Sequence, residues 1–261
     1  MISRADILFW KTIAPWESNA HVEQDLIISR ALVEIFSDDL LRNNLAFRGG
    51  TALHKLFMDK PLRYSEDIDL VQMKPKAIGK IIDRIREKLI FLGKPTVKQK
   101  AFNNTIVFKY ESEIPPVIPM KLKVEINCRE HMAIYGYKKL PYSVTSEWHK
   151  GKCDITTFDL DELLGTKVRA LYQRRKGRDL FDLYFVLTET KADAKRIAHA
   201  FHKYMEFEGK GVSQKEFMAN MEKKLQEDQF HKDLVGIVRP EVNFNMEDAW
   251  GMVREELISL I

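Results

Sequence analysis

The chain has 261 residues, 45% hydrophobic and 31% charged, with 42 Lys and Arg against 38 Asp and Glu for a formal net charge of +4. This mix is too apolar for a disordered chain, and the lack of any long apolar run excludes a membrane-spanning helix. Met1 to Asp6 carries an acid and lacks the basic stretch, apolar core and cleavage site of a secretory signal, so a cytoplasmic location is expected. Cys128 and Cys153 offer no disulfide framework, and His131 near Cys128 lacks the paired spacing of a structural zinc site.

The segment up to about Asn44 reads as helical, with Ile28, Ala31, Leu32 and Ile35 on one apolar stripe. Leu45 to Phe47 is a short apolar run that stops at Arg48-Gly49-Gly50. Thr51 is then expected to open a helix through Phe57, giving the order strand, tight turn, helix. Asp67 to Met73 alternates as a strand, and Lys76 to Leu92 reads as a basic amphipathic helix. Thr105 to Tyr110, Leu122 to Asn127 and Asp154 to Phe158 read as strands, the first two separated by Pro115, Pro116 and Pro119. From Asp159 the pattern turns helical: 159–174, 178–188, 192–207, 214–226 and 246–260. A mixed-sheet region, 1–158, followed by an α-helical domain, 159–261, is the expected α+β organisation.

Asp67 and Asp69 lie two apart on a strand and therefore project from one face, with Ile68 and Leu70 on the other. Paired carboxylates near a phosphate suit magnesium, which prefers one or two carboxylates together with phosphate oxygens. Along Lys121 to Asn127, Leu122, Val124 and Ile126 face one way and leave Glu125 on the polar face. Paired beside the first strand, Glu125 would be a third metal ligand; alone, it reads equally as a surface ion pair with Lys123. The Gly49-Gly50-Thr51 turn allows close backbone approach, and the amides opening the next helix favour an anion such as triphosphate. Thr51 can cap that helix or donate to a phosphate.

Lys121, Lys123, Lys138, Lys139, Lys150, Lys152, Arg169, Arg174, Arg175, Lys176 and Arg178 crowd the middle of the chain. They read either as solvated faces or as a surface for an acidic partner such as RNA. On a helical wheel Lys167 falls in the middle of the stripe formed by Leu160, Leu163, Leu164, Val168 and Leu171. Such a lysine either pairs with an interior acid or reaches into a cleft to hold phosphate. The next helix, from Arg178, is apolar nearly all round and carries Asp179 and Asp182 three apart. These acids need partners, and Lys167, Arg174 and Arg178 are available.

Four blocks in order, Phe47 to Leu53, Arg63 to Leu70, Lys123 to Asn127 and Lys167 with Lys176 to Leu183, together resemble the AbiEii/MenT family of nucleotidyltransferase toxins. The resemblance covers about residues 45 to 190; beyond that the chain matches only in being helical. It implies a DNA-polymerase-beta-like nucleotidyltransferase domain (1–158, with N-terminal helices) and a helical domain (159–261) closing the active-site cleft. It implies Mg2+, an NTP substrate, an RNA acceptor such as a tRNA 3′ end, and a cognate antitoxin encoded by a neighbouring gene. By position, Asp67 and Asp69 hold metal, Arg48, Gly49, Gly50 and Thr51 hold the triphosphate, and Lys167 with Asp179 and Asp182 completes the site. The Thr51 to Asp67 spacing is longer than in many polymerase-type relatives, so Arg63 and Ser65 are expected to shape that loop. Transfer of NMP to a protein side chain and an inactive NTP-binding module are the alternatives; a metal-dependent nuclease would leave the glycine turn unexplained.

Overall fold

A computed structural model describes residues 2–261. The chain separates into two compact units, residues 2–132 with 137–158, and residues 133–136 with 159–261.

The first unit begins with helix α1 (Arg4–Trp10), opened by a reciprocal capping box in which Ser3 and Asp6 each bind the other's backbone amide. Helix α2 (Asn19–Phe36) buries Ile28, Ala31, Leu32 and Ile35 completely, the expected apolar stripe. After α3 (Asp39–Arg42), strand β1 (Leu45–Arg48) runs into α4 (Gly49–Leu56), and β2 (Asp67–Gln72) is followed by α5 (Gly79–Lys88). Then come β3 (Thr96–Gln99), β4 (Asn103–Glu111), β5 (Pro119–Asn127), β6 (Tyr137–Thr145) and β7 (Lys150–Phe158).

These seven strands form one mixed sheet in the order β3-β4-β5-β2-β1-β7-β6. The two central neighbours of β2 differ in direction: β1 is antiparallel to it and β5 parallel. Leu122, Val124 and Ile126 of β5 and Ile68 and Leu70 of β2 are essentially fully buried, so the alternating pattern sends one face into the core. Helix α2 packs over β5, β6 and β7 and covers that face.

Two strands lay outside the sequence reading, and both are sheet edges. In β3 every residue is at least partly exposed, so no apolar run marks it. In β6, Pro141 and the exposed Lys138 and Lys139 hide the pattern; proline and lysine are tolerated on an edge because one side of the ladder has no strand to meet. Several element boundaries also move. The helix expected from Lys76 starts at Gly79, after Pro75, and α4 starts at Gly49 instead of Thr51, which makes the glycine pair its first turn.

The second unit contains α6 (Leu160–Gln173), α7 (Gly177–Glu189), α8 (Ala194–Phe207), α9 (Gln214–Leu225), α10 (Asp228–Lys232) and α11 (Met246–Glu256). Helices α6 and α8 approach so closely at Gly165 that a Cβ there would stand 2.6 Å from the Ala200 Cβ. Residues 133–136 belong to this unit because the Ile134 and Tyr135 amides each donate to the buried Glu162 carboxylate at 2.9 Å. Lys224 of α9 donates to the Leu171 and Tyr172 carbonyls, which satisfies the last turn of α6. Among the described residues no helix is long and apolar enough to cross a membrane.

Candidate active site

Strand pairing brings the sheet's acids together. Because β2 and β5 run parallel, Asp67 lies opposite Lys123 and Asp69 opposite Glu125, so all four side chains emerge from the half-exposed face. The register is held at its start by Gln24 of α2, whose amide donates to the Glu66 carbonyl at 3.1 Å and the Lys121 carbonyl at 3.0 Å. Tyr110 in turn donates to the Gln24 side-chain oxygen.

Glu125 takes up the ion pair expected of it as well as a place next to Asp69. It sits beside Asp69 in the sheet, and it pairs with Lys123, whose Nζ lies 2.8 Å from Glu125 and 3.0 Å from Asp67. The lysine ammonium thus bridges two of the three expected metal ligands. Burial pushes the Asp67 carboxyl up to about 6, against the opposing pull of Lys123. Asp69 turns elsewhere: a Cβ built on Gly49 would stand 2.3 Å from its Oδ2. For these reasons Asp67, Asp69 and Glu125 do not converge as a three-ligand cage, and among the described residues no three His, Cys, Asp or Glu side chains are grouped to hold a metal ion. The donor set does fit a cation held by one or two carboxylates and completed by substrate phosphate, the arrangement magnesium favours.

The glycine pair has a different immediate cause from the one expected. Gly49 has φ of 82°, in the left-handed region, and its missing Cβ makes room for the Asp69 carboxylate. Gly50 makes room for a guanidinium, since a Cβ there would lie 2.5 Å from Arg63 Nη2. Arg63 is buried and donates to the Tyr64 carbonyl at 3.0 Å. Thr51 is buried, with its hydroxyl 2.8 Å from Ser65 Oγ and donating to the Asp67 carbonyl at 2.6 Å. That hydroxyl joins α4 to β2 and does not cap the helix. Arg63 and Ser65 therefore do shape the long loop, by anchoring it under the first turn of α4.

Arg48, opposite Asp69 in the sheet, is ion-paired with Glu130 at 2.6 Å. A cavity of about 260 Å³ is lined by Arg48, Asp69, Phe102, Glu125, Asn127 and Arg129, among others. Phe102, Arg129, Glu130 and Gln24 had no sequence signal, because strand pairing sets the first three around the cavity and the packing of α2 brings Gln24 to the strand ends.

In the helical unit Lys167 is buried with its Nζ 3.2 Å from Asp179 and 2.9 Å from Asp182, both fully buried. Arg174 adds two bonds to Asp179, at 2.6 and 2.7 Å. Burial alone would raise the Asp179 carboxyl, but Lys167 and Arg174 hold it below its ordinary value. Pairing with interior acids thus accounts for the lysine in the apolar stripe. The rest of the basic run is largely paired too: Arg169 with Glu208, Arg175 with Glu227, and Lys176 and Arg178 with Asp233.

In fold, the chain is similar to MenT4, a nucleotidyltransferase toxin from Mycobacterium tuberculosis H37Rv, with a TM-score of 0.68 at 14% identity over 98% of this chain and 90% of that one. It is also similar to a crystal structure of an H. pylori protein provisionally assigned as a nucleotidyltransferase, with a TM-score of 0.52 at 16% identity over 94% of this chain and 99% of that one. No curated protein sequence matches it. The profile of the family described as "Nucleotidyl transferase AbiEii toxin, Type IV TA system" matches residues 30–251, and the chain accordingly belongs to the AbiEii nucleotidyltransferase toxin family.

Proposed function

We propose that this protein transfers a nucleotide from an NTP to the 3′ hydroxyl of an RNA, with a tRNA end as the acceptor. The observation that carries the reading is the juxtaposition of Asp69 and Glu125 on one sheet face, with Asp69 against the first residue of α4. Carboxylates beside the amide-rich start of a helix are suited to a charged phosphate chain and its counter-ion. In the step proposed, the 3′ hydroxyl gives its proton to solvent water, a bond forms between the acceptor oxygen and the α-phosphorus, the bond from that phosphorus to the oxygen bridging to the β-phosphate breaks, and pyrophosphate leaves. Mg2+ held by Asp67 or Asp69, with Glu125 alongside, would supply charge neutralisation at the phosphates. The residues of the chain mainly position the reactants. Arg48 and the backbone of Gly49 and Gly50 serve the triphosphate, and Thr51 serves by holding that turn on β2.

Within the same reading, and by the family resemblance, Lys167, Asp179 and Asp182 are proposed as further functional residues, grouped within the helical unit. A toxin of this family works against an antitoxin partner, proposed here to be the product of a neighbouring gene.

Incubation with labelled NTPs, Mg2+ and total RNA tests the reading. Label should enter RNA and be released by RNase, and Asp69→Ala should abolish transfer. No transfer from any NTP, or transfer unaltered in Asp69→Ala, would sink it. Label that resists RNase and yields to protease would assign the acceptor as protein.

A further inference from the structure

Phe102 is an exposed aromatic residue on the wall of the cavity that Asp69 and Glu125 line. It closes the turn between β3 and β4, where Lys100 N donates to the Asn103 carbonyl at 3.1 Å. Its own carbonyl accepts from Cys128 N at 2.9 Å, which extends the β4–β5 ladder by one step and fixes the phenylalanine at the end of β5. At that end the Asn127 side chain accepts from the Arg129 and Glu130 amides, both at 2.9 Å, and turns the chain so that the Arg129 guanidinium lies over the Phe102 ring, 5.7 Å from its centroid. Phe102 remains 62% exposed.

A single exposed phenylalanine needs no explanation by itself. This one lines the same cavity as Asp69, Glu125 and Arg48. A flat apolar ring next to a guanidinium, on the wall of a cavity also lined by Asp69 and Glu125, has the makings of a nucleobase platform. Bases stack on aromatic and guanidinium faces with little regard to sequence. From this arrangement we infer that Phe102, supported by Arg129, is a specificity-determining residue that stacks a nucleobase entering the Asp69 and Glu125 cavity. The base belongs either to the NTP or to the acceptor's terminal nucleotide; the chemistry is shared, and the experiment separates the two.

The inference rests on the nucleotide-transfer reading but has its own readout. In Phe102→Trp, the new indole emission, taken as the difference from wild type, should be quenched by ATP, CTP, GTP or UTP if the NTP base stacks. It should be quenched by an oligoadenylate hexamer if the acceptor base does. Inorganic triphosphate, which has no base, should leave it unchanged. Phe102→Ala and Phe102→Leu should raise KM for the stacked partner about tenfold, in the range that stacking on an aromatic contributes. The other partner's KM and the melting temperature should stay near wild type, and Phe102→Tyr should restore binding because it keeps the flat ring. Equal quenching by triphosphate and nucleotides, unchanged KM for both partners in Phe102→Ala, or a change confined to self-association in sedimentation would overturn the inference. Base-dependent quenching without any transfer by the wild type would keep the platform and refute the transfer reading.

Discussion

A Cβ on Gly49 would stand 2.3 Å from Oδ2 of Asp69, so the first residue of α4 and the second aspartate of β2 occupy space that only glycine leaves open. Gly49 also has φ of 82°, which a side chain would strain. Gly49→Ala therefore has to move the Asp69 carboxylate, the α4 terminus, or both. Left-handed backbone at a non-glycine residue costs on the order of 1 to 3 kcal/mol, to be read by urea unfolding. Displacing a reacting group by about 1 Å costs roughly 100-fold in rate, to be read as labelled nucleotide transfer. A variant as stable and active as wild type would show that this close approach is unimportant.

Lys123 holds a positive charge between Asp67 and Glu125 in the position where a metal cation would compete with it. Two unit charges about 3 Å apart interact by about 1.4 kcal/mol even at the dielectric of water, equivalent to roughly tenfold in binding. Lys123→Met should therefore tighten Mn2+ binding by about that factor in calorimetric titration without nucleotide. An affinity equal to or weaker than wild type would mean the ammonium does not compete with the ion.

Gln24 joins the openings of β2 and β5 through two carbonyls. Gln24→Ala leaves those buried acceptors short of a donor, at a cost of about 1 to 3 kcal/mol. The register of Asp69 against Glu125 should loosen, seen as faster hydrogen exchange at the amides of 67–69 and 123–125. If protection there is unchanged, the clamp is not what sets the register.

Asp179 gives the pH prediction. Its folded carboxyl lies below the ordinary 3.8, so the stability it contributes is complete above that value and is lost as pH falls through the lower folded value. Asp179→Asn leaves Lys167 short of one buried partner and should cost about 3 to 5 kcal/mol at neutral pH. The gap between wild type and variant, measured by urea unfolding, should stay constant from pH 7 to about 5 and narrow below about 4. A gap that instead widens on acidification would contradict the assigned direction.

Much of the site was legible because its signals are local. Two-residue alternation put Asp67 and Asp69 on one face and set Glu125 opposite Leu122, Val124 and Ile126, which the sheet reproduces. The helical stripe put Lys167 among leucines, where the structure finds it buried. The capping role open to Thr51 is not taken up, although a threonine after two glycines has the composition of a cap, because its hydroxyl meets Ser65 and the Asp67 carbonyl, 14 and 16 residues further on. Phe102 carried no signal, since an aromatic residue in a hairpin turn becomes relevant only once β4 is laid against β5.

By itself the sequence determined the direction in which each acid points, the order of sheet and helices, and the family signature, because periodicity and motif spacing are properties of contiguous residues. Tertiary structure alone decided which acids become neighbours and what occupies the space among them. The parallel β2–β5 register places Glu125 beside Asp69, Lys123 takes up Asp67, and the Gly49 vacancy takes up the Asp69 carboxylate. Those relationships span 20 to more than 50 residues of chain, and they are set by which strands bury their apolar faces together, a choice that no local pattern encodes.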